Sequence, residues 1–161
     1  AEDGIRDRSP SRGLGVVYKR QLASKSFSIG SVRLLEKQVT KTDWADMEEW
    51  IVNKTANINN IQSIGSGGNI NKILTLLLKT KGNSVTIGEI ESTIRKIEPY
   101  SIHDRVVKLK LRPDRADVIV HAGKIYSRCM KWSGAREMIV PQVGLPDGIV
   151  SQLYSDYKLK N

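Results

Sequence analysis

Residues 60–78 read NIQSIGSGGNINKILTLLL, and the fold class follows from them. Residues 60–64 read as a short buried strand, and Gly65-Ser66-Gly67-Gly68-Asn69 follows at once. Ile70, Ile73, Leu74, Leu77 and Leu78 then recur at helical spacing, the stripe of a helix that buries one face. A buried strand, a glycine loop and an amphipathic helix in direct succession point to an α/β layer structure. Glycines let the main chain approach a ligand and aim N–H groups at it. The helix N-terminus adds a partial positive charge that favours phosphate. The spacing matches neither GxGxxG nor a Walker loop. A tight strand-to-helix turn without a ligand also selects glycine, so the loop alone leaves both readings open.

Outward from this unit the pattern stays orderly. In ASKSFSIGS, residues 23–31, Phe27 and Ile29 fall on one face and Ser24, Ser26 and Ser28 on the other, which predicts a half-buried strand over 24–29. Thr42 or Asp43 is placed to cap a helix running to about Lys54, with Trp44, Met47 and Ile51 as its stripe. Gly82-Asn83 ends the glycine-loop helix, and further helices are expected over about 87–98, stopped by Pro99, and 101–109. Residues 111–114 turn into the longest helix, beginning near Arg115, with Val118, Ala122, Ile125, Cys129 and Trp132 as one buried stripe and Gly134 as its end. A buried strand over 137–141, a loop over 143–148 and an amphipathic helix over about 147–157 complete the chain.

Composition bounds the function. The chain has 161 residues and a net charge of +9, from 26 Lys and Arg against 17 Asp and Glu. That length is one domain or half of a larger one. A hydrophobic share of 39% supports a core and excludes wholesale disorder. The single cysteine, Cys129, excludes an internal disulfide framework and a cysteine zinc cage. His103 and His121 have no acidic or sulfur partner at metal spacing and read as ordinary surface or boundary residues. No apolar run nears the ~18 residues of a membrane span, and the N-terminus shows no signal-peptide h-region. A soluble, cytoplasmic, basic protein with an anionic partner is expected. Residues 1–21 read as a disordered or non-native arm; IRDRSPSRGLG followed by VYKRQ resembles read-through of sequencing adapter. The folded unit is then 22–161.

Two further segments carry chemistry. In LRPDRADVIV, residues 111–120, Asp114 can cap the long helix and Arg115 lies in its first turn. An arginine there opposes the helix dipole, which suggests that Arg115 faces an anion or a carboxylate. A surface network of Arg112 with Asp114, or Arg115 with Asp117, is the competing reading. VGLPDGIV, residues 143–150, is a ligand-side loop or a plain turn with Asp147 as cap. Asp43, Asp46, Glu48 and Glu49 sit at a helix start, where acids are favoured without any catalytic role. Cys129 reads as core, not nucleophile. Trp44, Trp50 and Trp132 are scattered and form no stacking platform for single strands.

Together, ASKSFSIGSVRLLE, QSIGSGGNINKI, LRPDRADVIV and EMIVPQVGLPDGIV resemble, in order and spacing, the C-terminal half of the exopolyphosphatase and guanosine pentaphosphate phosphohydrolase family (Ppx/GppA) over residues 22–159. The resemblance implies a ribonuclease H-like lobe of the actin-like, sugar kinase and Hsp70 superfamily. It implies Mg²⁺-dependent hydrolysis of terminal phosphoanhydrides of polyphosphate or pppGpp by in-line attack of water, and a tendency to homodimerise. Gly65, Ser66, Gly67, Gly68 and Asn69 match the family's second-lobe glycine loop, Arg115 an arginine facing the cleft, and Gly144 and Asp147 the terminal loop. The family's catalytic glutamate and first phosphate loop belong to an N-terminal lobe outside this sequence, so no catalytic or metal residue is assigned here. The arm stands where an Asp-Ile-Gly-Gly-Gly-Ser segment is expected, and His121 where proline is usual. The chain by itself is therefore expected to be inactive and to self-associate through faces left unpaired. The alternative is a non-enzymatic polyanion- or nucleic-acid-binding α/β module, with no membrane partner in either case.

Overall fold

A computed structural model describes residues 23–77 and 82–160. The 1–21 arm and Leu78 lie outside the described residues. The elements in chain order are α1 (Ser31–Leu35), α2 (Lys41–Thr55), β1 (Ser63–Ile64), α3 (Gly68–Leu76), β2 (Ser84–Thr86), α4 (Ile87–Ile97), α5 (Ile102–Val107), α6 (Pro113–Ala116), α7 (Ile119–Ser133), β3 (Glu137–Ile139) and α8 (Leu145–Lys160). The chain is mixed α/β with a small three-stranded sheet in the order β1-β3-β2. β1 runs parallel to β3, pairing Ser63 with Met138 and Ile64 with Ile139, and β2 is antiparallel to β3.

The core lies between this sheet and the helices α3, α4 and α7. Ile70, Ile73 and Leu74 of α3 meet Ile90, Ile94 and Ile97 of α4, Ile119, Val120 and Met130 of α7, and Val85, Met138 and Val140 from the sheet region. α7 is the central helix and packs against α1, α2, α3 and α4. It crosses α4 closely because Gly123 has no side chain: a Cβ there would overlap Ile94. α4 starts sharply at a capping box. Thr86 Oγ1 accepts from the Glu89 N–H at 3.3 Å, and Glu89 Oε2 accepts from the Thr86 N–H at 2.8 Å. Gly134 ends α7 at φ 75°, a left-handed conformation that suits glycine.

Several sequence expectations are corrected. Residues 24–29 form no strand. Their alternation is real, but the sheet order contains no neighbour to supply their ladder bonds. The expected buried strand over 60–64 shrinks to Ser63–Ile64, and Ile64 is 72% exposed; among the described residues β1 pairs with β3 alone. α2 is capped by Thr40, not Thr42 or Asp43; Asp43 is the third residue of the box and accepts from the Thr40 N–H at 2.7 Å. The Thr40 hydroxyl also donates to Asp43 Oδ2, at 2.7 Å, and is the largest cause holding the Asp43 carboxyl below its ordinary range, with the N–H bond next. The long helix does not begin near Arg115. It is broken at Asp117–Val118, and the buried face of α7 runs through Ile119, Gly123, Ser127 and Met130 rather than Ile125, Cys129 and Trp132, which are only half-buried. α8 does not bury an apolar face, since Ile149, Val150, Leu153, Tyr154 and Tyr157 are all exposed.

The tryptophans are not scattered. Trp44 of α2 meets Trp132 of α7 edge-on at 5.9 Å, with the Arg128 guanidinium 4.2 Å from the Trp44 ring centre, and Trp50 meets Phe27 at 5.7 Å.

The α4–α7 crossing can be tested directly. Gly123→Val should destabilise the chain by about 1–3 kcal/mol through overpacking, read as a fall in the urea midpoint with unchanged slope. A midpoint equal to that of the unmutated chain would show that the crossing is loose. Exposure of α8 and Ile64 also predicts self-association, and a monodisperse monomer in sizing would contradict it.

Candidate phosphate site at the start of α3

The parallel pairing of β1 with β3 decides where a ligand can sit. Both strands end on the same edge of the sheet, so the loops 65–67 and 140–144 leave side by side. Crevices beyond the carboxyl ends of parallel strands are the usual ligand position in α/β folds. Gly65 is fixed there by its N–H, which donates to the Ile139 carbonyl at 2.8 Å, and a Cβ on Gly65 would strike the Met138 thioether. Gly67 then turns the chain at φ 107°, where a side chain would be strained.

α3 begins without a cap. Its N-cap is Gly67, which has no side chain to bond the first turn, and that turn carries no acid. The open N–H groups of such a start carry partial positive charge. By contrast α2 and α4 have complete capping boxes, and Ser101 Oγ accepts from Asp104 N–H at the start of α5. Tyr126 of α7 has its hydroxyl toward the Ile70 backbone. Burial is the largest influence on that phenol and pushes its pKa up, while the Ile70 N–H and the nearby Arg115 charge pull it down.

Arg115 completes the arrangement. Its guanidinium lies against Gly68, so closely that a Cβ on Gly68 would overlap it. Any side chain at 68 would displace the guanidinium from this position. The structure brings together Gly65, Ser66, Gly67, Gly68 and Asn69 with Arg115, which stand far apart in sequence. Asn69 Oδ1 is enclosed with no partner among the described residues. The Arg112–Asp114 pair is present at 3.1 Å, on well-exposed side chains where such a pair adds little. Asp114 does not cap the helix; the N-cap of α6 is Arg112, with no side-chain bond. Gly144 and Asp147 form a local cap, the Gly144 N–H donating to Asp147 Oδ2 at 2.7 Å.

Tyr126 was not anticipated. It lies on the buried face of α7, at helical spacing from Ile119, Gly123 and Met130, and a lone phenol in such a stripe signals a polar partner at its tip. His121 is half-buried, and its pKa is pushed down by burial first and by the Lys124 and Arg105 charges next. Among the described residues no group of three or more His, Cys, Asp and Glu side chains could hold a metal ion. The residues present thus do not fit a protein-built Mg²⁺ cage, and no step is assigned to a metal on this chain.

No protein-family model matches the sequence, and no curated protein matches it. Solved structures do. The type II variant of the Aquifex aeolicus Ppx/GppA phosphatase superimposes with a TM-score of 0.58 at 20% identity, over 76% of this chain and 46% of that one. A second structure of the Aquifex aeolicus family member gives 0.58 at 19% identity, over 79% and 47%. An exopolyphosphatase-like protein gives 0.53 at 18% identity, over 76% and 47%. The chain has the fold of part of a Ppx/GppA phosphatase. It spans about half the length of the Ppx/GppA structures it matches. No helix among the described residues is long and apolar enough to cross a membrane.

Cys129 is half-buried, and burial pushes its thiol up to about 11. A thiol this far above neutrality stays protonated and unreactive at pH 8. Iodoacetamide at pH 8 should leave it unlabelled in the folded chain and label it fully in denaturant. Rapid labelling of the folded chain would make it a reactive thiol instead.

Proposed function

We propose that this chain supplies the phosphate-binding wall of a phosphoanhydride hydrolase of the exopolyphosphatase or guanosine pentaphosphate phosphohydrolase type, built as a ribonuclease H-like lobe. The observation that carries the reading is Arg115 lying against Gly68 at the uncapped start of α3. Two sources of positive potential, a guanidinium and a helix N-terminus, face one place at the carboxyl edge of parallel strands. Among the described residues no acid in the first turn of α3 neutralises them, and an anion would. Phosphate suits both partners: its oxygens accept from backbone N–H groups and from a planar guanidinium at once. The fold likeness to Ppx/GppA phosphatases supports the same reading at the level of a hydrolase family.

In such a reaction the protein positions the phosphoryl groups and offsets their charge. Gly68 and Asn69 N–H groups and Arg115 would hold non-reacting phosphoryl oxygens, with Ser66 and Gly67 shaping the approach and Gly144 and Asp147 bordering it. The group that activates water is assigned to none of these residues. The substrate is polyphosphate or pppGpp, Mg²⁺ belongs to the intact two-lobed enzyme, homodimerisation follows the family, and the compartment is the cytoplasm. The other reading, a non-enzymatic polyanion- or nucleic-acid-binding module, rests on the net charge of +9 alone.

Isothermal titration with tripolyphosphate separates them. The first reading expects one saturable site, weakened about tenfold or more by Arg115→Gln, since a charged hydrogen bond is worth about 1.5–3 kcal/mol. The second expects many weak sites, a steep salt dependence and no special role for Arg115. Incubation with polyphosphate and Mg²⁺ should release no phosphate, and measurable release would place catalytic groups within this chain.

A further inference from the structure

Arg105 belongs to none of the motifs that mark the site, yet it bonds the turn that carries Arg115. Its Nη1 donates to the Ala116 carbonyl at 2.8 Å and its Nη2 to the Glu98 carbonyl at 3.2 Å. One side chain thus ties the end of α4 to the end of α6. Its Nε is enclosed with no partner among the described residues, so the guanidinium is held within the protein rather than lying along the surface.

The Ala116 bond falls at the helix break. In an unbroken helix the Ala116 carbonyl would accept from the Val120 N–H. The chain instead stops α6 after a single turn and restarts at Ile119, with Val118 as N-cap. Ala116 is fully buried, and a buried carbonyl needs a donor. Arg105 supplies it from outside the helix. Arg115 is the residue before Ala116, in the same single turn. On the other side of the same segment, Lys72 of α3 donates from Nζ to the Lys110 carbonyl at 3.3 Å, which holds the α5–α6 connection against α3.

We propose that Arg105 is a positioning residue: by bonding the Ala116 carbonyl it keeps α6 separate from α7, and so keeps the Arg115 guanidinium over the start of α3. Its effect on anion affinity rests on the phosphate-site reading given above; its effect on where Arg115 lies does not.

The test uses the full chain without ligand first. Arg115→Gln should shift the Gly68 amide in a ¹H–¹⁵N spectrum, because the guanidinium lies against it. Arg105→Gln should shift that amide in the same direction while Arg115 is still present. Arg105→Lys, which keeps the charge and one donor, should shift it less, and it serves the same criterion if the glutamine variant fails to fold. A folded Arg105 variant with the Gly68 amide at its original position would overturn the proposal. Tripolyphosphate affinity supplies the second arm. Arg105→Gln should weaken binding about tenfold, as loss of a supporting partner commonly does, and should add nothing in an Arg115→Gln background. Equal losses in both backgrounds would overturn the positioning role. If the unmutated chain binds no tripolyphosphate, the phosphate-site reading fails and the Gly68 shift alone decides Arg105.

Discussion

An arginine guanidinium rests against the positive end of a helix, and the site is organised around that contact. An α-helix start carries the equivalent of roughly half a positive charge. Bringing Arg115 onto Gly68 places a full charge of the same sign beside it. Two like charges are not left together unless the surrounding structure determines their positions. Here it does so from several sides. Gly65 is clamped to β3, Gly67 turns the chain, and Arg105 and Lys72 bond to the segments around Arg115. Such arrangements make sense as preorganised anion sites: the repulsion is present before binding and an anion relieves it.

The packing beneath serves the same end. α7 carries Tyr126 and must lie close to both α3 and α4, which Gly123 allows. β3 lies between β1 and β2 and aligns the loops that follow β1 and β3. The periphery is less well determined. α8 and the β1 edge expose apolar residues, as expected of a chain that spans about half of the solved structures it resembles.

Much of this was legible in the sequence, for identifiable reasons. α3 and α4 were readable because isoleucine and leucine repeat at helical spacing, and Gly134 because only a left-handed end needs glycine there. The glycine loop and Arg115 were each readable as local anomalies, one in composition and one in dipole sense. Their contact was not, because no local pattern records which turns meet in space. The 24–29 segment misled because alternation describes a face and not a partner strand. The break at Asp117–Val118 was hidden because apolar residues continue through it on both sides. The carbonyl left over at the break is taken by Arg105, eleven residues away. Of the expected stripe, Val118 and Ala122 are buried, while Ile125, Cys129 and Trp132 fall at the margin of the buried face.

The central claim is that the start of α3, under Arg115, is a phosphate seat. A ¹H–¹⁵N titration with pyrophosphate maps it most directly. The account predicts saturable shifts at Gly67, Gly68, Asn69 and the Arg115 side chain, with amides of α2 and α8 unmoved. Shifts spread over the basic surface, or none at residues 67–69, would contradict it.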